Sequence, residues 1–325
     1  MKVDTAGYFA TVEQAGESAA AADVAGYDGW WTTETAIDPF LACAVAAERT
    51  ERVSIGTAIA VAIARNPMTV AVQGNDLQLL SGGRFLLGLG SQIERHVTKR
   101  YSMQWSRPAA RMREFILAVR AIWQSWATGT ELRFEGEFYT HTFMTPFFDP
   151  GPNPHDHPPI LLGGVGPLMT EVAGEVADGF LCHPLSTERY LREVTLPALE
   201  RGRRKAGRTL DGFEICGPSM IVARDSEEDI VSETQVLRRQ IAFYGSTPAY
   251  RPVLELHGWG DLHYELNAMA LRGEWDRLHE PIDDEVLHTF AVVGTPDDAF
   301  AEIKRRYGDV VTRISIGAPA QDVAA

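Results

Sequence analysis

Short apolar runs of strand length alternate with amphipathic stretches of helix length along most of this chain. Val3–Thr5 is the first expected strand. Thr11, with Gln14 three residues later, reads as a helix start, and Val12, Ala15, Ala19 and Ala22 recur at helical spacing until Gly26. Asp28–Thr33 is strand two, and its Trp30–Trp31 pair should divide between the two faces of the strand. Asp38–Pro39 and Asn66–Pro67 each pair an N-cap residue with a first-turn proline, so each opens a helix. Between them, Val53–Ala64 (VSIGTAIAVAIA) is too rich in Val and Ile for a helix, and its first half is expected as strand three. Phe85–Leu89 is strand four, followed by Gly90–Ser91–Gln92. A helix over Pro108–Ala127, a hairpin over Phe134–Phe143 and a proline-rich loop over Thr145–Pro159 come next.

The alternation then resumes. Ile160–Leu162 and Phe180–Cys182 are strands five and six, a helix is expected from Thr187 to Lys205, and strand seven lies within Phe213–Ala223. Ser226–Tyr244 is a further helix, and the aromatic segment Ser246–Asp284 predicts extra helices. A last helix opens at Thr295–Asp297 before strand eight, Thr312–Ile316. Repeated strand–turn–helix units imply parallel strands with right-handed crossovers, and continuous apolar runs fit strands buried on both faces. Eight such strands predict an α/β protein, a (β/α)8 TIM barrel forming one domain over residues 1–325, with insertions after strand four (about 94–159) and strand seven (about 246–290). No GxGxxG fingerprint follows an early strand, which weighs against a doubly wound dinucleotide fold. In a barrel the chemistry lies at the C-terminal ends of the strands.

One stretch stands out at such an end: PILLGGVGPLMTEVAGEVADGFLCH, Pro159–His183. Its glycine turn, Gly163–Gly164–Val165–Gly166, sits between a strand and a helix that starts at Pro167. Glycines let a ligand approach the backbone, and amides at a helix start attract an anion. The turn is therefore a candidate phosphate cradle; a tight βα connection is the alternative.

Composition narrows the partners. The chain has 325 residues and a formal net charge of −14, from 30 basic and 44 acidic residues, which argues against nucleic acid as a partner. No run approaches the ~20 apolar residues of a membrane span, and no basic start with an apolar run opens the chain. The three cysteines, Cys43, Cys182 and Cys216, lie in apolar stretches and read as buried thiols of a reducing compartment, so a cytoplasmic protein is expected. His155 and His157 form an HxH pair without a third ligand at a defined spacing, so no metal site is expected.

Taken together, GYDGWWTTE (Gly26–Glu34), RVSIGTAI with ARNP (Arg52–Pro67), SGGRFLLGLGS (Ser81–Ser91), LLGGVGP and ADGF (Ala177–Phe180) resemble the bacterial luciferase-like flavin and deazaflavin oxidoreductases, most closely the actinobacterial members that use coenzyme F420. The resemblance implies a flavin-like ring at the strand ends, hydride transfer, a small-molecule substrate and a homodimer built on early helices, here Met68–Leu80 with Val70, Leu77 and Leu80. It places a non-proline cis bond at Ala58–Ile59, behind the ring. It also puts the amides of Gly90, Ser91 and Gln92 near the ring's polar edge, the phosphate on Gly163, Gly164, Val165 and Gly166, and Cys182 and His183 beside it.

Glu34 ends strand two and is a candidate for orienting substrate or relaying a proton; a salt-bridged or capping glutamate is the alternative. Thr35 stands where sugar-phosphate-oxidising relatives carry a histidine, which weighs against such a substrate. His96 has a side chain suited to proton transfer near neutrality; a solvated loop histidine is the alternative. Tyr250, Trp259, Tyr264 and Trp275 are expected either to line a substrate pocket or to pack an added helix on the barrel. The leading expectation is an F420-dependent oxidoreductase. The alternatives are an FMN-dependent monooxygenase supplied by a separate flavin reductase, and a cofactor-binding protein without turnover.

Overall fold

The computed structural model describes residues 1–317; residues 318–325, the end of the expected domain, lie outside the described residues. Eight parallel strands close into a barrel. They are β1 (Lys2–Gly7), β2 (Gly29–Thr32), β3 (Ser54–Thr57), β4 (Phe85–Gly90), β5 (Ile160–Gly164), β6 (Gly179–Cys182), β7 (Glu214–Cys216) and β8 (Arg313–Ser315). Their order around the barrel is sequential. β1 pairs with both β2 and β8, Val3 lying opposite Ile314, and β3 pairs with β4, Ile55 lying opposite Phe85. Each strand therefore has two neighbours and no edge is exposed. A two-residue strand, Ala60–Val61, continues β3 along β4 after an interruption at Ala58–Ile59.

Helices α1 (Val12–Ala25), α2 (Pro39–Arg49), α3 (Pro67–Leu80), α4 (Pro108–Thr128) and α5 (Pro167–Val176) pack outside β1–β6. Local chemistry fixes their starts. The side chains of Thr11, Asp38 and Asn66 accept from backbone amides of the first turn, and proline follows Asp38 and Asn66. A helical segment over residues 188–205 with a π turn inside it forms α6, capped by Thr187. α7 (Glu227–Gly245), α8 (Arg251–Leu256), α9 (Gly260–Leu271) and α10 (Asp284–Phe290) follow β7, and α11 (Pro296–Tyr307) precedes β8.

Strand seven departs from expectation. Phe213–Ala223 holds two strands, β7 in the barrel and Ile221–Ala223, which pairs outside it with Val292–Gly294. The stretch between them contains Gly217 and Pro218, and a proline has no amide to donate to a ladder. The expected hairpin is present but short, Phe134–Glu135 against Thr140–His141.

Three apolar clusters follow from this plan. The largest fills the layer between barrel and helices and includes Trp30, Phe85, Phe115 and Trp123. A second sits under α7–α10, with Leu237, Ile241, Leu254 and Phe290. A small one lies inside the barrel, with Trp31, Leu86, Leu161 and Leu181. Trp30 and Trp31 do face opposite sides of β2, as strand alternation requires.

Candidate active site

The C-terminal ends of the strands open into a cavity of about 810 Å³. Its floor is an ion pair. Arg313 donates from Nε and Nη2 to the two oxygens of Asp4 at 2.7 and 2.8 Å, and Trp31 Nε1 donates to Asp4 Oδ2 at 2.8 Å. Asp4 and Arg313 are each 1% exposed, a position charged groups hold only when paired. Room for the guanidinium comes from Gly29, where a Cβ would lie 2.4 Å from Arg313 Nη2. Ser315, two residues on and also lining the cavity, has a buried Oγ with no hydrogen-bond partner.

One wall is built by β2, β3 and β4. The Ala58–Ile59 bond is cis, as the resemblance implied. Thr33 Oγ1 donates to the carbonyl of Ala58 at 2.9 Å, and the amide of Ala58 donates to the carbonyl of Thr32 at 2.8 Å. Ile59 covers the neighbouring strands: a Cβ on Gly90 would lie 2.8 Å from Ile59 Cγ1, and one on Gly163 would lie 2.9 Å from Cγ2. The two glycines are thus where strands β4 and β5 admit this side chain. Beyond β4, Gln92 adopts a left-handed backbone (φ 62) and its side chain accepts from the Ile93 amide at 2.9 Å, turning the chain toward Glu94 and His96. Both line the cavity, with Ser91 and Gln92.

Glu34 lines the same wall and is fully engaged. Oε2 accepts from Val61 N at 2.7 Å and Arg65 Nη1 at 2.6 Å, and Oε1 accepts from Tyr101 OH at 2.8 Å. Arg65 also donates to Asp38 Oδ2 at 2.8 Å and lies over the Phe40 ring. The salt-bridged alternative for Glu34 therefore has its partners, which sequence spacing did not indicate. Burial, then the hydrogen bond to Glu34, pushes the Tyr101 phenol up to about 12. Burial and the neighbouring Arg100 and Arg95 lower the pKa of His96, which favours the neutral ring at pH 7.

The glycine turn opens on the cavity between these walls: Gly163, Gly164, Val165 and Gly166 all line it. Gly166 is the N-cap of α5 and supplies no side-chain cap, so first-turn amides are left for another acceptor. A Cβ on Gly164 would lie 2.8 Å from Met169 Cγ, whereas nothing lies within 4 Å of one on Gly166. Tyr190 OH donates to the carbonyl of Val165 at 3.2 Å and steadies the turn. Uncapped amides at a helix start beside an open glycine suit a phosphate group.

The opposite wall follows β6 and β7. Glu233, Leu237, Gln240 and Tyr244 line the cavity from one face of α7, at spacings of four, three and four residues. Tyr8, Tyr250 and His183 complete it. His183 lies 4.7 Å from the Tyr244 ring and 4.3 Å from the Tyr250 ring, centroid to centroid. Its Nδ1 accepts from the Leu185 amide at 3.0 Å, and burial pushes its pKa down to about 3. It is thus a neutral ring whose remaining nitrogen, Nε2, carries the proton. Burial raises the phenols of Tyr8 and Tyr244 and pushes Tyr250 up to about 12.

Several expectations are corrected. Cys182 and Cys216 are half-buried cavity-lining thiols, not core residues like Cys43, and burial pushes Cys182 up to about 12. Of the four aromatics expected either to line a pocket or to pack an added helix, Tyr250 lines the cavity, Trp259 packs on His257 and Phe290, Trp275 packs near Phe243, and Tyr264 is exposed. On α3, Val70 and Leu77 are buried and only Leu80 of the three is exposed, beside Val72 and Leu79. His157 stacks on Trp123 and bonds its carbonyl at 3.0 Å, a packing role. Sequence reading missed Tyr8, Asp4, Arg313 and Gln240. The stripe at 233, 237, 240 and 244 was the one available signal for the last.

The luciferase-like monooxygenase family model matches residues 2–313. The chain belongs to this family. An uncharacterized protein of Mycobacterium tuberculosis, Rv1360, is 51% identical over 301 residues, covering 93% of this chain and 88% of that one. A 5,10-methylenetetrahydromethanopterin reductase of Archaeoglobus fulgidus is 27% identical, covering 92% and 87%. The solved coenzyme F420 dependent tetrahydromethanopterin reductase of Methanopyrus kandleri superposes with a TM-score of 0.81 at 21% identity, covering 98% of this chain and 93% of that one, and shares the fold. Luciferase-like proteins of this kind are oxidoreductases and monooxygenases, and this chain has the cavity of an enzyme.

Proposed function

We propose that this protein is an F420-dependent oxidoreductase acting on a small organic substrate. The observation that carries the reading is the Gly163–Gly166 turn, an uncapped helix start opening on the same cavity as Ile59. When bound, the deazaflavin supplies hydride transfer at its C5. Gly163, Gly164, Val165 and Gly166 hold its phosphate, with Cys182 and His183 alongside. Ala58 and Ile59 support one face of the ring, and backbone amides of Gly90, Ser91 and Gln92 meet its polar edge. His183 contributes as a neutral donor from Nε2.

The chain's own acid–base groups divide the remaining work. Glu34, anchored by Val61, Arg65 and Tyr101, orients this wall as a fixed anion. His96, unprotonated near neutrality, accepts the proton that leaves a substrate hydroxyl on oxidation and returns it on reduction. The family model is described as a monooxygenase, which favours FMN as the second reading: the same turn suits either phosphate.

Fluorescence titration of the purified protein with F420 and, separately, FMN tests this. Micromolar or tighter binding of F420, with FMN much weaker, is the expected result. Preference for FMN, with oxygen consumed when reduced flavin is supplied, moves the assignment to the monooxygenase. Binding of neither overturns both.

A further inference from the structure

The wall of the cavity across from Ile59 carries a polar group without a protein partner. Gln240 is 7% exposed and lines the cavity, yet its carboxamide makes no hydrogen bond within the described residues. Its polar atoms are not sealed in the packing but are reached from the cavity. A carboxamide that faces a cavity without a protein partner can donate to and accept from a molecule that enters it. α7 follows β7, and β7 lies four strands from β3 in an eight-stranded ring, so α7 and Ile59 stand on opposite sides of the mouth. A ring resting on Ile59 would have Gln240 across the cavity from it.

The surroundings of Gln240 carry no unpaired charge. Glu233, two turns before it on the same face, is matched by Arg224 at 2.8 Å. Leu237 and Tyr244 flank it on the stripe. His183 is neutral, and Tyr8, Tyr244 and Tyr250 are protonated phenols. Of the other ionised groups lining the cavity, Asp4 and Arg313 neutralise each other, Glu34 is matched by Arg65, and Glu94 stands exposed beyond β4. A charged substrate placed here would lose its hydration without gaining a counter-ion.

We propose that Gln240 is the specificity-determining residue of a substrate subsite for neutral, aromatic or alicyclic carbonyl and alcohol compounds, its carboxamide bonding the polar group while Tyr8, Tyr244, Tyr250 and His183 pack the apolar body. The carboxamide presents both a donor and an acceptor, so the ketone and alcohol forms of one redox couple bond it equally. This rests on the oxidoreductase reading above, which supplies the reacting face.

Saturation-transfer NMR on the full-length protein tests the subsite without the cofactor, using acetophenone and 1-phenylethanol as neutral probes and benzoate and benzylamine as charged ones. Both neutral probes should bind at least tenfold more tightly than either charged one. Gln240→Leu should weaken the neutral probes about tenfold while leaving F420 affinity unchanged. Gln240→Glu, nearly the same shape, should lose them and gain benzylamine. Equal binding of benzoate, no binding of either neutral probe, or neutral binding unaffected by both substitutions would overturn the proposal. Neutral probes that depend on Gln240 in a protein that binds neither F420 nor FMN would leave the subsite standing and sink the cofactor reading instead.

Discussion

The two walls of the cavity are built on opposite principles. On the β2–β4 side, the polar side chains at its core are engaged: Glu34 holds three donors, Arg65 bridges two carboxylates, and Thr33 fixes the Ala58 carbonyl. On the α7 side, the Gln240 carboxamide has no hydrogen bond among the described residues, and around it stand phenols, the His183 ring, apolar surface and the Glu233–Arg224 pair. A saturated wall holds its shape, so it is suited to positioning a group that is the same in every turnover. An unsaturated wall is suited to a molecule that arrives and leaves. The difference separates scaffold from recognition within one cavity.

The strongest way to break the contrast is to place charge on the turn between the walls. Gly164→Asp sets a Cβ 2.8 Å from Met169 Cγ and a carboxylate beside the uncapped amides. F420 affinity should fall by more than a hundredfold in a fluorescence titration. An unchanged affinity would remove the phosphate from this turn. Next is the saturated wall itself. Arg65→Met leaves Glu34 buried without its cation, and removing one partner of a buried pair costs about 3–5 kcal/mol. Urea unfolding should show that loss, and Glu34→Gln added to it should recover part. A loss under 1 kcal/mol would mean that the wall does not depend on this pair.

The unsaturated wall gives a pH signature. His183 has its pKa depressed by burial to about 3, against about 6.5 in an unfolded chain. Between those values the unfolded state binds more protons than the folded one. The stability that the neutral ring contributes is therefore complete above about pH 6.5 and is lost as pH falls toward 3, by up to about 1.4 kcal/mol per pH unit. Unfolding at pH 7.5 and pH 5 should show this slope, and His183→Phe should flatten it. The smallest effect separates the same walls by one atom. Tyr101→Phe removes one bond to a buried carboxylate and should cost about 1–3 kcal/mol, with F420 affinity within twofold of the parent.

The sequence carried the barrel because its signals are local. Caps such as Asp38 and Asn66 sit beside the helices they start, and β2 alternation alone divides Trp30 from Trp31. The glycine turn was legible for the same reason. The family resemblance, not the residue pattern, supplied the Ala58–Ile59 bond. What the sequence hid is the bonding between distant segments. Glu34 meets Arg65 and Tyr101 only after three strands are in place, and nothing near Gln240 says that its amide lacks a partner. On α3, helical spacing located an apolar stripe without saying which side the barrel covers: Val70 and Leu77 are buried and Leu80 is exposed.

The Asp4–Arg313 pair has a consequence for how the chain is made. Its partners are 309 residues apart. During synthesis β1 gains β2 early, but its other neighbour, β8, leaves the ribosome only after β2–β7. Until then Asp4 lacks the cation that its burial requires, and the flank of β1 that will face β8 is an open sheet edge. Barrel closure is therefore a late, long-range event, and such contacts slow folding because the chain loses loop entropy before they form. The nascent protein spends most of its synthesis as an unclosed sheet, the stage at which a chaperone that shields strand edges has the most to offer it.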